Sequence, residues 1–297
     1  MSDETFDHTK VGKSKNRVFI RLVVYTILIA FVILYLLPII VVVLTSVRSL
    51  DEIYNGSLIA FPAKIDFSAW TKVWSTGCVG GNCKGIAPYF YNSLELVIPA
   101  TIISTAIGAI NGYALTKWKF RGSEFVFAFI LFGVFLPNQL VLLPWAWTLG
   151  KLGIANSTIG LVTLHCVCGL GFVTLFCRNY FLSIPDTLIK AARIDGAGFW
   201  TIFRRIILPL SPPILVVVVI WQFTHIWNEY LFATTFTSGY NKPIPAALMA
   251  MTASQTELRE YNVESAAVII AALPTLLIYF FAGRFFMRGL TAGSIKG

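Results

Sequence analysis

Six long apolar runs without charged side chains constrain the fold of this chain more than any other feature. Across the whole sequence, 57% of the residues are hydrophobic and only 12% are charged, whereas a soluble domain carries about 25% charged residues. A helix that crosses the apolar core of a bilayer needs about 20 apolar residues. We therefore predict an all-α polytopic membrane protein with six transmembrane helices. The runs are Leu22–Leu44, Leu96–Leu115, Phe125–Leu149, Ile154–Cys177, Leu210–Asn228 and Ser265–Gly283.

The basic residues predict how these helices are oriented. If the N-terminus lies inside, 16 of the 23 Lys and Arg residues fall in inner segments, which is the positive-inside bias of membrane proteins. We expect a multi-pass plasma-membrane protein, in the inner membrane if the cell has two, with both termini cytoplasmic. Attraction to the anionic lipid of the inner leaflet accounts for the net charge of +9, so no nucleic-acid partner is implied.

The apolar runs also divide the chain into segments. We predict a cytoplasmic tail at residues 1–17, a first transmembrane helix with a long outer loop at 18–92, a transmembrane domain at 93–286 and a cytoplasmic tail at 287–297. The first run has 23 residues. Since the apolar region of a cleavable signal peptide has about 7–15 residues, we interpret this run as a transmembrane helix.

The inner segment between the fourth and fifth runs, KAARIDGAGFWTIFRRIILP, carries the most specific motif. Small Ala191 and Ala192 let a short helix approach another surface closely, and Gly196 supplies a turn that ends the helix. Ser183 and Asp186 predict a capping box at its start. We expect a cytoplasmic coupling helix within about residues 183–209. The spacing of the alanines and the glycine alone would also suit an ordinary amphipathic loop helix.

With Ile206, Leu208 and Pro209 in register, the segment resembles the loop signature of ABC importer permeases, E-A-A-x3-G-x9-I-x-L-P. Lys190 stands where the family has Glu, which puts in doubt a salt bridge from this position to a basic ATPase residue. The resemblance implies the type I ABC importer permease fold and a docking contact with a cytoplasmic ATPase. The implied coupling residues are Lys190, Ala191, Ala192, Asp195, Gly196, Ile206, Leu208 and Pro209.

The C-terminal sequence GLTAGSIKG carries a second resemblance, to the tail of maltose-type permeases. In that group the tail reaches the nucleotide-binding subunits. The resemblance therefore implies an ATPase contact by Leu290, Thr291, Ala292 and Gly293, and the alternative is a frayed polar terminus.

Together the two motifs imply one permease subunit of a carbohydrate importer. The implied partners are a second permease subunit formed by a different chain, two ATP-binding cassette subunits, an outer solute-binding protein, membrane lipid and the sugar. We expect no cofactor in this chain and no catalytic or metal-binding residues, because it contains no G-x-x-x-x-G-K-[ST], H-E-x-x-H or G-x-S-x-G motif. ATP and Mg²⁺ would be bound by the ATPase subunits.

The fifth run carries a polar stripe. Gln222, His225 and Glu229 are spaced i, i+3 and i+7, with Asn228 beside them, in a stretch that resembles the W-N-E/D-aromatic segment of carbohydrate permeases. Polar and charged side chains within a span usually face a bundle interior or a water-filled path. These four residues are candidates for the translocation pathway, and hydrogen bonds between helices are the alternative.

The first outer loop contains Cys78 and Cys83 in the sequence GCVGGNC. If the outer side is an oxidising compartment, this glycine-rich connection favours a disulfide. Two free thiols in a turn are the alternative.

Two other classes of membrane protein compete with this interpretation. An ion-gradient-driven secondary transporter would need ionisable groups in several spans, whereas only two histidines within these runs and Glu229, which directly follows the fifth run, qualify. A purely structural membrane subunit would not need the polar stripe of the fifth run.

Overall fold

The computed structural model describes residues 9–253 and 259–292 of the chain. Within these residues the regular elements are helical, and a single β-bridge joins Val79 to Asn82. The α-helices are α1 Thr9–Ser46, α2 Leu50–Asn55, α3 Ser68–Ser75, α4 Ala87–Thr116, α5 Ser123–Val134, α6 Leu142–Lys151, α7 Thr158–Leu182, α8 Asp186–Ile194, α9 Phe199–Ile202, α10 Pro212–Trp227, α11 Leu231–Phe236, α12 Ile244–Ala253 and α13 Tyr261–Ala292. Short 3-10 or π-helical segments lie at Asn138–Val141, Phe203–Ile207, Leu208–Leu210 and Gly239–Asn241.

The predicted all-α membrane fold is confirmed. Four helices are long and apolar enough to cross a bilayer, and two further bent pairs raise the number to six if each pair forms one span. The four long spans are Arg17–Ser46, Ala87–Thr116, Thr158–Leu182 and Tyr261–Gly283.

Two of the predicted spans are bent. The third is interrupted at Pro137, where the chain bends by 99° between Ser123–Val134 and Asn138–Lys151. The fifth begins at a bend of 82° between Phe199–Leu210 and Pro212–Trp227. Proline lacks an N–H donor and disfavours helical backbone at the residue before it, so both breaks occur where the helix cannot continue.

The chain divides into two compact units, Met1–Trp70 with Glu260–Ala266 and Thr71–Arg259 with Ala267–Gly297. In the first unit α1 begins at Thr9, within the segment that we predicted as a tail. The side chain of Arg48 is buried in this unit and donates to the carbonyl of Ser57 at 3.0 Å.

The centre of the second unit is formed by α4, α7 and α10, which contact one another. Gly108 and Gly112 of α4 allow its backbone to lie against α7. A Cβ atom at Gly108 would lie 2.5 Å from a methyl group of Val173, and one at Gly112 would lie 2.8 Å from Cβ of Cys177. This small-residue packing is a common way for membrane helices to associate.

Candidate functional site

The coupling helix predicted from the loop motif is α8, Asp186–Ile194. Gly196 has a φ of +78°, the left-handed conformation expected of it. The Gly196 N–H donates to the carbonyl of Arg193 at 3.0 Å, and the Ala197 N–H donates to the carbonyl of Ala192 at 2.9 Å. These two bonds form a Schellman motif, which ends the helix at the predicted glycine.

The predicted capping box at the start of α8 is wrong. Pro185 is the N-cap residue and makes no side-chain capping bond. Ser183 instead terminates α7, with its hydroxyl donating to the carbonyl of Tyr180 at 2.7 Å. The backbone of Ser183 is helical, with φ −74° and ψ −17°, whereas an N-cap residue is extended.

The faces of α8 differ in what they contact. Ile189 is buried in a core formed by α4, α7 and α10, and Ala192 packs against the same core. Ile194 lies on the opposite side and is 86% exposed, whereas Leu188 flanks the buried face and is 45% exposed. Of the predicted coupling residues, Lys190, Ala191, Asp195 and Gly196 are also exposed. The helix therefore exposes polar residues together with two apolar side chains, of which Ile194 is the more fully exposed.

The Ile-x-Leu-Pro part of the motif lies where the loop turns into α10. Ile206 and Leu208 are partly buried against the core, and Pro209 is exposed in the 3-10 segment at the 82° bend. The Tyr180 hydroxyl donates to the carbonyl of Leu210 at 2.9 Å. The motif thus spans the complete path from α8 to the next transmembrane helix.

Sequence reasoning missed a second element at this site, the turn between α4 and α5. The ammonium group of Lys117 lies 2.6 Å from both the Ile184 carbonyl oxygen and Oδ1 of Asp186. This hydrogen bond and the charge of Lys117 lower the pKa of the Asp186 carboxyl below its ordinary value. The sequence shows that this turn is basic, with Lys117, Lys119 and Arg121. We used these residues only to predict the side of the membrane on which the turn lies, and they did not indicate a contact with α8.

A groove lies at the other end of α10. Its volume is about 510 Å³ and it has both polar and aromatic walls. The lining residues are Trp221, Thr224, His225, Asn228, Glu229, Tyr230 and Tyr279. The rings of Trp221 and His225 stack with their centroids 5.0 Å apart. Three of the four predicted pathway residues thus lie together in one cavity.

Glu229 also has a structural role that the sequence did not indicate. Its two carboxylate oxygens accept hydrogen bonds from the Phe232 N–H at 3.0 and 2.9 Å, and one accepts from the Ala233 N–H at 3.2 Å. These N–H groups belong to the first turn of α11. A carboxylate at this position satisfies free donors and complements the helix dipole.

Gln222, the fourth member of the predicted stripe, is not in the groove. Its side chain is buried against α7, where Nε2 donates to the carbonyl of His165 at 3.5 Å. A Cβ atom at Gly169 would lie only 2.0 Å from Nε2 of Gln222. The amide of Gln222 therefore fits against α7 only because residue 169 has no side chain.

In the loop between α3 and α4, Cys78 and Cys83 are joined by a disulfide. Gly80 and Gly81 between them have φ values of +55° and +88°. Val79 and Asn82 exchange backbone hydrogen bonds of 2.8 and 3.0 Å across this turn. Two successive positive φ angles are typical of a two-residue hairpin turn, and two glycines adopt them without steric cost.

The predicted C-terminal contact can be placed only in part. Leu290, Thr291 and Ala292 lie at the end of α13, and Gly293 lies outside the described residues.

Comparison with known proteins identifies the family. Residues 86–288 match the model of the family described as binding-protein-dependent transport system inner membrane component. The chain belongs to this family. The match includes α8, the adjoining turn and the groove, and it confirms the resemblance drawn from the loop motif. The chain is accordingly a multi-pass inner-membrane component of a binding-protein-dependent transport system.

Individual relatives cover nearly the whole chain. The xylose/arabinose import permease protein XacI of Haloferax volcanii is 30% identical over 290 residues, which cover 91% of this chain and 92% of that protein. The probable ABC transporter permease protein YurM of Bacillus subtilis is 31% identical over 285 residues, which cover 95% of this chain and 89% of that protein.

A solved structure shares the fold. The crystal structure of a bacterial ABC transporter that imports the acidic polysaccharide alginate contains a chain that matches with a TM-score of 0.78 and 22% identity. The match covers 92% of this chain and 98% of that chain. It supports the assignment to the type I importer permease fold.

Proposed function

We propose that this chain is a permease subunit of an ATP-driven importer and translocates a carbohydrate delivered by an outer binding protein. The exposed apolar surface of α8 carries this proposal. Ile194 and Leu188 belong to the segment on the basic side of the protein, where their exposed apolar surface would face water in an isolated chain. Burying such side chains against a partner is favourable by about 25 cal/mol per Å² of apolar surface.

The partner of α8 in this proposal is a cytoplasmic ATPase subunit. Its contact comprises the exposed residues Lys190, Ala191, Asp195 and Gly196 together with the tail residues Leu290, Thr291, Ala292 and Gly293. ATP and Mg²⁺ are bound by two such ATPase subunits, and this chain has no catalytic role of its own. Its role is to turn closure of the ATPase pair into rearrangement of the membrane helices.

The groove beside α10 is the part of the pathway that this chain contributes. His225, Asn228 and Glu229 supply polar groups, and Trp221, Tyr230 and Tyr279 supply aromatic faces. Such a mixture of apolar walls and a few polar groups is typical of small-molecule sites. The relatives named as xylose/arabinose and alpha-glucoside permeases support a carbohydrate as the substrate.

The assembled importer contains a second permease subunit, which closes the other side of the pathway, and an outer solute-binding protein. Both termini of this chain are cytoplasmic, as the distribution of Lys and Arg indicates. This orientation places α8 on the same side as the ATPase subunits and the groove toward the outer side.

Reconstitution tests the proposal. Proteoliposomes that contain this chain with its ATPase, second permease and binding-protein partners should accumulate a labelled sugar, from a panel of mono- and oligosaccharides, only when ATP is inside. Proteoliposomes without this chain provide the control. Accumulation driven by an imposed ion gradient in the absence of ATP would contradict the proposal and favour a secondary transporter.

A further inference from the structure

The coupling helix α8 is fastened at both ends to the turn between α4 and α5. We propose that Lys117 is a positioning residue that makes α8 and α4 move as one body, so that a displacement of α8 reaches the pathway through α4. This inference rests on the proposed function, because it assigns a route to the coupling between the ATPase and the membrane helices.

The first attachment lies at the start of α8. The side chain of Lys117 is only 4% exposed, and its ammonium group donates to the Ile184 carbonyl and to the Asp186 carboxylate, both at 2.6 Å. Lys117 directly follows the last residue of α4. Hydrogen bonds to charged groups are stronger than neutral ones, and a buried partner left unpaired is costly. The bond therefore holds the N-terminal end of α8 against the end of α4.

The second attachment lies at the other end of α8. The guanidinium group of Arg193 donates to the backbone carbonyl of Lys117 at 3.0 Å. Its carbon atom also lies 4.3 Å from the centre of the Trp118 ring, a cation–π contact. Two separated attachments prevent α8 from pivoting about either one.

The last turns of α4 continue this contact beyond α8. Tyr113 is fully buried, its ring centroid lies 4.7 Å from that of Phe199, and its hydroxyl donates to the carbonyl of Phe199 at 3.4 Å. Phe199 opens α9, which follows the coupling helix. Because Gly108 and Gly112 hold α4 tightly against α7, a force on α8 is transmitted into the helix bundle instead of being absorbed by a loose loop.

Lys117→Gln removes the charge and one of the three N–H donors and shortens the side chain, whereas Lys117→Arg keeps the charge and the donors. Lys119→Gln is the matched control, because Lys119 lies in the same turn and pairs at 3.5 Å with Glu124, outside α8. In the reconstituted complex we measure sugar transported per ATP hydrolysed. This ratio should fall about tenfold or more in Lys117→Gln, since a hydrogen bond to a charged group is worth at least that factor. It should stay near the wild-type value in Lys117→Arg and Lys119→Gln.

The outcomes separate the two proposals. If the wild-type complex shows no ATP-dependent transport, the proposed function fails. If the wild type is coupled and Lys117→Gln keeps its ratio, or Lys119→Gln loses it equally, only the role of Lys117 is overturned. If Lys117→Gln does not assemble, Asp186→Asn decides. Its side chain is 71% exposed, so the change should not disturb packing. Because it removes the negative charge that Lys117 pairs with, it should lower the ratio, and an unchanged ratio there overturns the inference.

Discussion

At the scale of single residues, the end of α8 requires the left-handed conformation of Gly196. Nothing lies within 4 Å of a Cβ atom built there, so a side chain would not clash. The requirement comes from the backbone alone, and a non-glycine residue in this conformation costs about 1–2 kcal/mol. Gly196→Ser should therefore loosen the end of α8 and reduce transport per ATP while membrane insertion stays normal.

Gly198 provides a matched control for this change. It also has no atom within 4 Å of a built Cβ, but its φ of −80° and ψ of 178° suit any residue. It is the N-cap residue of α9, a position that serine favours. Gly198→Ser should leave coupling unchanged. Equal effects of the two serine substitutions would show that the conformation of Gly196 is not required.

At the scale of helices, the α4–α7 contact is predicted to tolerate no additional atoms at Gly112. A Cβ atom there would lie 2.8 Å from Cβ of Cys177 and 2.9 Å from the backbone nitrogen of Arg178. The backbone of α7 cannot move aside as the end of a flexible side chain can. Overpacking of this kind typically lowers the free energy of unfolding by about 1–3 kcal/mol. Gly112→Ala should lower the melting temperature of the purified protein in detergent.

Gly133 of α5 is the control for Gly112. A Cβ atom built at Gly133 meets no atom within 4 Å, and alanine favours helix over glycine. Gly133→Ala should keep or slightly raise the melting temperature. A decrease of the same size in both variants would contradict the close packing of α4 on α7.

The hairpin between α3 and α4, in the loop that we propose to be the outer one, is predicted to be oxidised in protein prepared without reductant. Its two glycines with positive φ turn the chain within two residues and bring Cys78 to Cys83. Alkylation of the denatured, unreduced protein should label the free cysteines Cys166, Cys168 and Cys177, and mass spectrometry should find the outer pair unlabelled. Alkylation of both outer cysteines would contradict the disulfide.

At the scale of the whole molecule, the sequence predicted what depends on local pattern and missed what depends on distant contacts. Runs of apolar residues place the spans, and Gly196 ends α8, because each feature involves neighbouring residues. The bond between Lys117 and Asp186 joins residues 69 positions apart, and no local pattern indicates such a pair.

The polar stripe shows the same limit. Its i, i+3, i+7 spacing assumes a helix that continues to Glu229, whereas α10 ends at Trp227 and Asn228 is its C-cap residue. Beyond that point the helical period no longer determines where a side chain lies. Glu229 lies beyond the end of α10, where it lines the groove and accepts hydrogen bonds from the first turn of α11. Gln222 lies within the regular part of α10, and its side chain packs against α7.

This division of the stripe predicts a pattern of chemical accessibility. Single cysteines replacing His225, Asn228 and Glu229 should react with a small aqueous thiol reagent, in a background without the native cysteines. A cysteine replacing Gln222 should be protected, because that side chain is 1% exposed. An ionised carboxylate facing lipid near the bilayer centre costs at least about 2 kcal/mol, so Glu229 favours a hydrated groove over the lipid face.

Transported sugar should slow the labelling at positions 225, 228 and 229, since the groove of about 510 Å³ is the space it would occupy. A sugar that is not transported serves as the control and should leave the labelling rates unchanged. Glu229→Gln keeps one carboxyl-derived oxygen to accept from the first turn of α11 but removes the charge, so it should lower transport without lowering the amount of protein in the membrane. Protection of all three positions, in the resting and the ATP-trapped complex alike, would mean that these side chains serve packing and that the sugar passes elsewhere.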